Sequence, residues 1–156
     1  MAVDAPFHAP LADGPADVRV AWLTTRDGIR IRAAHWPLAG AKGTVILMPG
    51  RTEYIEKYGR AATDLARRGY ATVSVDWRGQ GLADRSDADR MIGHVGDFDE
   101  FQRDVDALLA WARADGARED NAKGGARFRR AGDFDAGVEQ LAQALHNRET
   151  YSFAGP

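Results

Sequence analysis

From Val18 the chain alternates apolar and polar positions through Val18-Arg-Val-Ala-Trp-Leu-Thr24, breaks at Asp27-Gly28, and alternates again over Ile29-Arg-Ile-Arg-Ala-Ala-His-Trp36. Two short alternating runs joined by a turn predict a half-polar β-hairpin. Beyond Gly40 and Gly43 the pattern changes. Thr44-Val-Ile-Leu-Met48 is continuously apolar and stops at Pro49-Gly50, as expected of a strand buried on both faces of a sheet. A helical period follows from Tyr54 to Arg68, with Tyr58, Ala61, Ala62, Leu65 and Ala66 on one face and Gly69 as its stop. Tyr70-Ala-Thr-Val-Ser-Val75 is a second buried strand, so strand, helix and strand form a βαβ unit with parallel strands. The clearest helix is announced by Asp97 with Glu100 three residues on. It carries Phe98, Phe101, Val105, Leu108, Leu109 and Ala112 at helical spacing.

On either side of this core the periodicity fails. Residues 1–17, with Pro6, Pro10 and Pro15, are expected to form a flexible leader. From Gly116 the composition turns charged and glycine-rich, so residues 116–132 are expected to be a linker. Asp133 can cap a last amphipathic stretch in which Phe134, Val138, Leu141 and Leu145 recur at spacings of four, three and four. The expected organisation is a leader (1–17), a partial α/β domain (18–115), the linker, and a helical tail (133–156) of unassigned role.

Composition narrows the function classes. A chain of 156 residues, 44% apolar and 28% charged, suits one globular domain. With 21 basic against 23 acidic residues it has no electrostatic footprint for nucleic acid, and the patch Arg127, Arg129 and Arg130 is too small to supply one. The absence of cysteine excludes a disulfide scaffold, a thiolate metal site and a cysteine nucleophile. Asp84, Asp87 and Asp89 lack the glycine and terminal glutamate of a calcium loop. No metal, no cofactor and no nucleic-acid partner is expected. No apolar run approaches the roughly 18 residues of a membrane span, and the leader lacks the basic start and apolar core of a signal peptide, so a cytoplasmic location is expected.

Three blocks in succession carry a resemblance: Gly50-Arg-Thr-Glu-Tyr-Ile-Glu-Lys-Tyr58, Asp76-Trp-Arg-Gly-Gln-Gly-Leu82 and Gly93-His-Val-Gly-Asp-Phe98. Over about Val18 to Arg113 the chain resembles the α/β-hydrolases, and more narrowly their monoacylglycerol lipase and lysophospholipase branch. The resemblance implies the N-terminal part of an α/β-hydrolase sheet, a hairpin plus parallel strands with flanking helices, incomplete, in the strand order 1-2-4-3-5. It implies that Pro49-Gly50-Arg51 is the loop after the third strand and that the backbone N–H of Arg51 is an oxyanion-hole donor. Gly50 would let that loop turn sharply. Gly50, Glu53, Arg78, Gly79 and Gly81 are then the loop and turn residues supporting the site, and Asp76 a structural hydrogen-bonding group. Pro49 departs from the family's His or Gln, which puts the geometry of the loop in question, and Ala83 stands where a serine is common.

The chemistry of such a site needs a serine on a strained elbow, Gly-x-Ser-x-Gly. The chain has three serines, Ser74, Ser86 and Ser152, and none has a glycine at either required position. His8, His35, His94 and His146 each have a structural explanation stronger than a catalytic one. No residue is therefore assigned as catalytic. The expectation is a shortened, inactive form of a serine carboxylic ester hydrolase, for which the resemblance implies lipid-like or small ester substrates. The alternative is a non-catalytic binding or interaction module, or a chain active only with a complementing one. With no evident fifth strand, Thr44 to Met48 would be an open edge inviting self-association.

Overall fold

The computed structural model describes residues 3–86, 89 and 93–117. The expected linker from residue 118 on and the tail 133–156 lie outside them. Five strands, β1 (Val3–Asp4), β2 (Arg19–Thr24), β3 (Arg30–Trp36), β4 (Gly43–Leu47) and β5 (Tyr70–Asp76), form one mixed sheet in the order β1-β2-β3-β5-β4. The helices are α1 (Ala9–Ala12), α2 (Gly59–Arg67) and α3 (Asp99–Ala114), with a 3₁₀ turn at Ile55–Tyr58 leading into α2.

β2 and β3 form the expected hairpin, in register from Arg19 opposite His35 to Thr24 opposite Arg30. Thr25 closes its turn: the hydroxyl donates to Asp27 Oδ1 at 2.6 Å and accepts from the Ile29 amide at 3.1 Å. Gly28 takes the left-handed φ of 84° that the turn requires. β4 and β5 are parallel and joined through α2, and β5 inserts between β3 and β4. Apart from β1, this is the order 1-2-4-3 of the α/β-hydrolase sheet.

Each face of the sheet buries a helix. On one, Ala21, Leu23, Ile31, Ala33, Val73 and Val75 pack with Leu108 and Ala112 of α3. On the other, Ala34, Trp36, Ile55 and Ala62 form a second cluster flanked by Phe7, Val20 and Tyr58. The alternation along β3 thus feeds two cores rather than one, while β5 gives Val73 and Val75 to the first alone. The first turn of α3 is capped by Asp97, whose Oδ1 accepts from the Asp99 amide at 3.0 Å.

Four expectations change. The hairpin is not half-polar at β3: every residue from Ile31 to Trp36 is buried, because β3 lies between β2 and β5 and its polar members Arg32 and His35 find carboxylate partners. β4 is only half-buried and Met48 is 38% exposed, since among the described residues β4 has a strand on one side only. The helix expected from Tyr54 begins as a 3₁₀ turn and becomes α-helical at Gly59. The leader is structured: β1 adds to the hairpin, the Ala5 amide donates to the Val20 carbonyl at 3.0 Å, and Phe7 meets Trp36 edge-on at 6.2 Å. The chain passes so close to α2 that a Cβ on Gly59 would lie 2.1 Å from the Ala12 carbonyl oxygen. That crossing rests on two glycines, Gly14 and Gly59, which no periodicity reveals.

Candidate active site

The carboxyl ends of β4 and β5 emerge side by side, the usual place for chemistry in a parallel α/β sheet. From β4 the chain runs through Pro49-Gly50-Arg51-Thr52-Glu53, and from β5 through Trp77-Arg78-Gly79-Gln80-Gly81. Side chains of the second segment hold the first. The Trp77 indole N–H donates to the Pro49 carbonyl at 2.8 Å, and Gln80 Oε1 accepts from the Thr52 amide at 2.7 Å. Pro49 is buried, so its lost polar side chain does not leave the loop unanchored: the indole takes hold of the backbone instead.

Glu53 folds back over the loop. Its Oε2 accepts from the Gly50 amide at 2.7 Å and from the Tyr58 hydroxyl, while Oε1 pairs with Lys57. The Lys57 ammonium, Tyr58 and the Gly50 amide together hold the Glu53 carboxyl down at about 2, and burial beside that carboxylate pushes the Tyr58 phenol up to about 12. The left-handed residue of the loop is Thr52, at φ 66°, not Gly50. At Gly50 a Cβ would approach Glu53 Oε2 to 3.2 Å, so the bare backbone eases the close approach of the carboxylate. A β-branched residue at positive φ is a strained conformation, sustained here by the Gln80 bond and by the Thr52 hydroxyl donating to the Arg51 carbonyl at 2.6 Å.

Beneath the loop lies Asp76, fully buried at the end of β5. Its Oδ1 accepts from the Ile55 amide at 2.8 Å and its Oδ2 from the Leu82 amide at 2.9 Å and from Arg32 Nε at 2.8 Å. Burial pushes this carboxyl up, and Arg32 and the two amides pull against that. Arg32, itself 1% exposed, also grips both oxygens of Glu56 at 2.9 and 2.8 Å. Asp76 is thus a structural hub, tying the end of the loop, the glycine turn and the inner hairpin strand. Gly81 is required beside it, since a Cβ there would fall 2.2 Å from the Asp76 carboxyl carbon.

Arg78 points away from the loop. It binds Asp104 of α3 at 2.9 and 2.7 Å and Asp27 of the hairpin turn at 2.8 Å. Burial pushes Asp104 up, whereas the Arg78 guanidinium holds Asp27 well below the usual carboxylate range. Gly79, at φ 77°, lets the chain turn back immediately after it.

The structure therefore brings Gly50, Arg51, Glu53 and the Gly79–Gly81 turn together, and sets Arg78 behind the turn as its fastening to α3. Sequence reasoning missed Trp77, Gln80 and Thr52. Trp77 and Gln80 sit inside a quoted motif, yet their contacts span 28 positions and follow no period. Ser74 is fully buried with its hydroxyl bonded to nothing among the described residues, and Ser86 and His94 are exposed. His35 bonds Asp115 through Nδ1 at 2.6 Å on the α3 face of the sheet. Ser152, His146 and Asp87 lie outside the described residues.

Residues 39–123, more than half of the chain, match the family model Hydrolase_4, described as serine aminopeptidase S33, and the chain belongs to this α/β-hydrolase family. It is 34% identical over 99 residues to lysophospholipase L2 of Escherichia coli K12, an alignment covering 64% of this chain and 29% of that protein. The chain thus spans less than a third of the length of the curated relatives it matches. Among solved structures it is similar to a soluble variant of the monoglyceride lipase of Saccharomyces cerevisiae bound to a substrate analog, at 23% identity and a TM-score of 0.51 over 72% of this chain and 35% of that one. An esterase of Pyrococcus furiosus is similar at 23% identity and a TM-score of 0.50, over 73% of this chain and 40% of that one. These two likenesses show the fold. No helix among the described residues is long and apolar enough to cross a membrane.

Proposed function

We propose that these residues form the oxyanion-loop half of a serine carboxylic ester hydrolase acting on lipid-like esters, of the lysophospholipid or monoacylglycerol kind. The observation that carries the reading is the Arg51 amide. It stands at the carboxyl end of a parallel strand, in a loop fastened by side chains on both sides, and donates to no acceptor among the described residues. A fixed, unclaimed N–H is what stabilises the negative oxygen of a tetrahedral intermediate. The sequence similarity to a lysophospholipase supports the substrate class.

The 156 residues contain no Gly-x-Ser-x-Gly, so the nucleophile of this reading comes from chain beyond them and the 156-residue protein does not turn over esters by itself. The test pairs a fluorophosphonate probe with a nitrophenyl acyl ester, applied to this chain and to the product expressed with its downstream coding sequence. The chain alone is expected to stay unlabelled. The longer product is expected to be labelled on an elbow serine, and its Arg51→Pro variant, which lacks the N–H, to lose about 10²–10³ in turnover. Labelling of Ser74, Ser86 or Ser152, or a downstream sequence with no elbow in any frame, overturns the reading.

A further inference from the structure

Three consecutive amides, those of Gly50, Arg51 and Thr52, line the candidate oxyanion loop, and they are not equivalent. The Gly50 N–H is taken by Glu53 Oε2 at 2.7 Å and the Thr52 N–H by Gln80 Oε1 at 2.7 Å, while the Arg51 N–H between them has no acceptor among the described residues. We propose that Glu53 and Gln80 are positioning residues that occupy the amides on either side of Arg51 and so select the Arg51 N–H as the donor for a substrate oxyanion. The proposal rests on the oxyanion reading of the loop and names the side chains that create that donor.

The selection follows from the conformation of the loop. Thr52 sits at φ 66°, which rotates its own N–H toward the turn after β5 instead of toward its neighbours. The peptide between Arg51 and Thr52 is held at both ends, its N–H by Gln80 and its carbonyl by the Thr52 hydroxyl at 2.6 Å. Glu53 takes the other flank and is itself braced by Lys57 and by Tyr58 of the 3₁₀ turn ahead of α2. Each brace comes from a different element: Glu53 is fixed from the helix side and Gln80 from the turn after β5. A loop with three free amides would present competing donors and would relax around water. With the flanking two occupied, the remaining one is preset before any substrate arrives, which is the condition for electrostatic stabilisation without reorganisation. Gly50 belongs to the same device, because a Cβ there would come within 3.2 Å of Glu53 Oε2 and push the carboxylate back by a few tenths of an ångström.

The experiment reads amide hydrogen exchange at Gly50, Arg51 and Thr52 by NMR in the 156-residue chain, with the Val73 amide of β5 as the control for folding. In the parent protein Gly50 and Thr52 are expected to exchange about tenfold more slowly than Arg51, after correction for intrinsic rates. Gln80→Leu, which has no acceptor, is expected to release Thr52 by about tenfold with Val73 unchanged, and Gln80→Glu, which keeps an oxygen at the same reach, to restore its protection. Sodium acetate, used as a small oxyanion probe, is expected to shift the Arg51 amide resonance more than either neighbour, with the response spreading to Thr52 in Gln80→Leu. An Arg51 amide as slow as its neighbours, or a Thr52 rate indifferent to Gln80→Leu while Val73 stays protected, overturns the proposal. Should Gln80→Leu lose the protection of Val73, the rates in the parent protein decide alone. None of these readouts needs turnover, so their failure leaves the hydrolase reading to its own labelling test, and failure of that test leaves these rates standing.

Discussion

At the scale of single residues, what could be read from the sequence was identity and spacing, and what could not was direction. The block Gly50 to Tyr58 is legible because its glycine, glutamate and tyrosine resemble a loop of the α/β-hydrolases, but which residue turns the chain depends on φ. The structure gives the positive φ to Thr52 and gives Gly50 the task of admitting Glu53. Two glycines separate these tasks experimentally. Gly81→Ala would set a methyl 2.2 Å from the Asp76 carboxyl carbon as well as forcing a positive φ of 48°, and is expected to remove more than about 3 kcal/mol of stability. Gly28→Ala has open space around it and only the φ of 84° to bear, so its loss is expected near 1 kcal/mol in the same chemical denaturation experiment. The clasp of Glu53 and Tyr58 makes a second residue-scale prediction. Glu53 is held at about 2, below its ordinary 4.5, so its stabilisation is complete above 4.5 and is lost as pH falls through about 2. Tyr58 is pushed up from 10 to about 12, so its contribution is complete below 10 and is lost as pH rises through about 12. The clasp is therefore constant from about pH 5 to 10. An ultraviolet titration should find one tyrosine ionising late, near 12, and Glu53→Gln should move it back toward 10; a titration in which no tyrosine is late contradicts the clasp.

At the scale of elements, the strands and helices were legible wherever burial imposes a period. The hairpin, the βαβ unit and α3 all announce themselves by apolar spacing, and their order in the sheet follows from the resemblance. The leader was not legible, because β1 is two residues long and α1 four, too short for either period to develop. What places them is a set of backbone contacts with distant residues. β4 carries the element-scale prediction. It pairs with β5 alone among the described residues, and its exposed side offers the backbone groups of an apolar strand. Such an edge recruits a second strand unless charge, proline or a bulge blunts it, and Val45-Ile-Leu-Met48 contains none of these. The isolated chain is expected to associate with a second copy of itself along this edge, seen as dimers or larger species in sedimentation velocity. A stable monomer in which the Val45 to Leu47 amides are strongly protected would show that the edge is already satisfied.

At the scale of the whole molecule, distant segments are tied together by a buried polar network beside the second apolar cluster. Arg32 lies on the Ala34 and Trp36 face of β3 with Asp76 on one side and Glu56 on the other, and its Nη1 also donates to the Pro6 carbonyl at 2.8 Å while the His8 amide donates to Glu56 at 3.1 Å. One guanidinium thus connects the leader, the hairpin, the start of the 3₁₀ turn and the end of β5. Arg32→Met would leave two buried carboxylates without their cation, for an expected loss of about 3–5 kcal/mol. It should also free the leader, so that limited proteolysis cuts near Pro6 to His8 under conditions where the parent chain is intact. Resistance equal to the parent's would show that the aromatic contact of Phe7 with Trp36 and the glycine crossing suffice to hold the leader. None of this network is visible in the sequence, where Arg32 occupies a place in an alternating strand that reads as solvent-facing.

The strand order also sets a timetable. β4 is made before β5 but has no neighbour in the sheet until β5 has been laid against β3. On the ribosome, the chain between Leu47 and Asp76 must therefore be synthesised while the most apolar strand waits unpaired, a delay of roughly 1.5–6 s at about 5–20 residues per second. The hairpin needs no such wait, since its second strand follows its first directly. Nascent chains halted at a length where β4 has emerged from the ribosome but β5 has not should therefore be the form that chaperones hold most tightly, and chains halted long enough after Asp76 for β5 to emerge should be released.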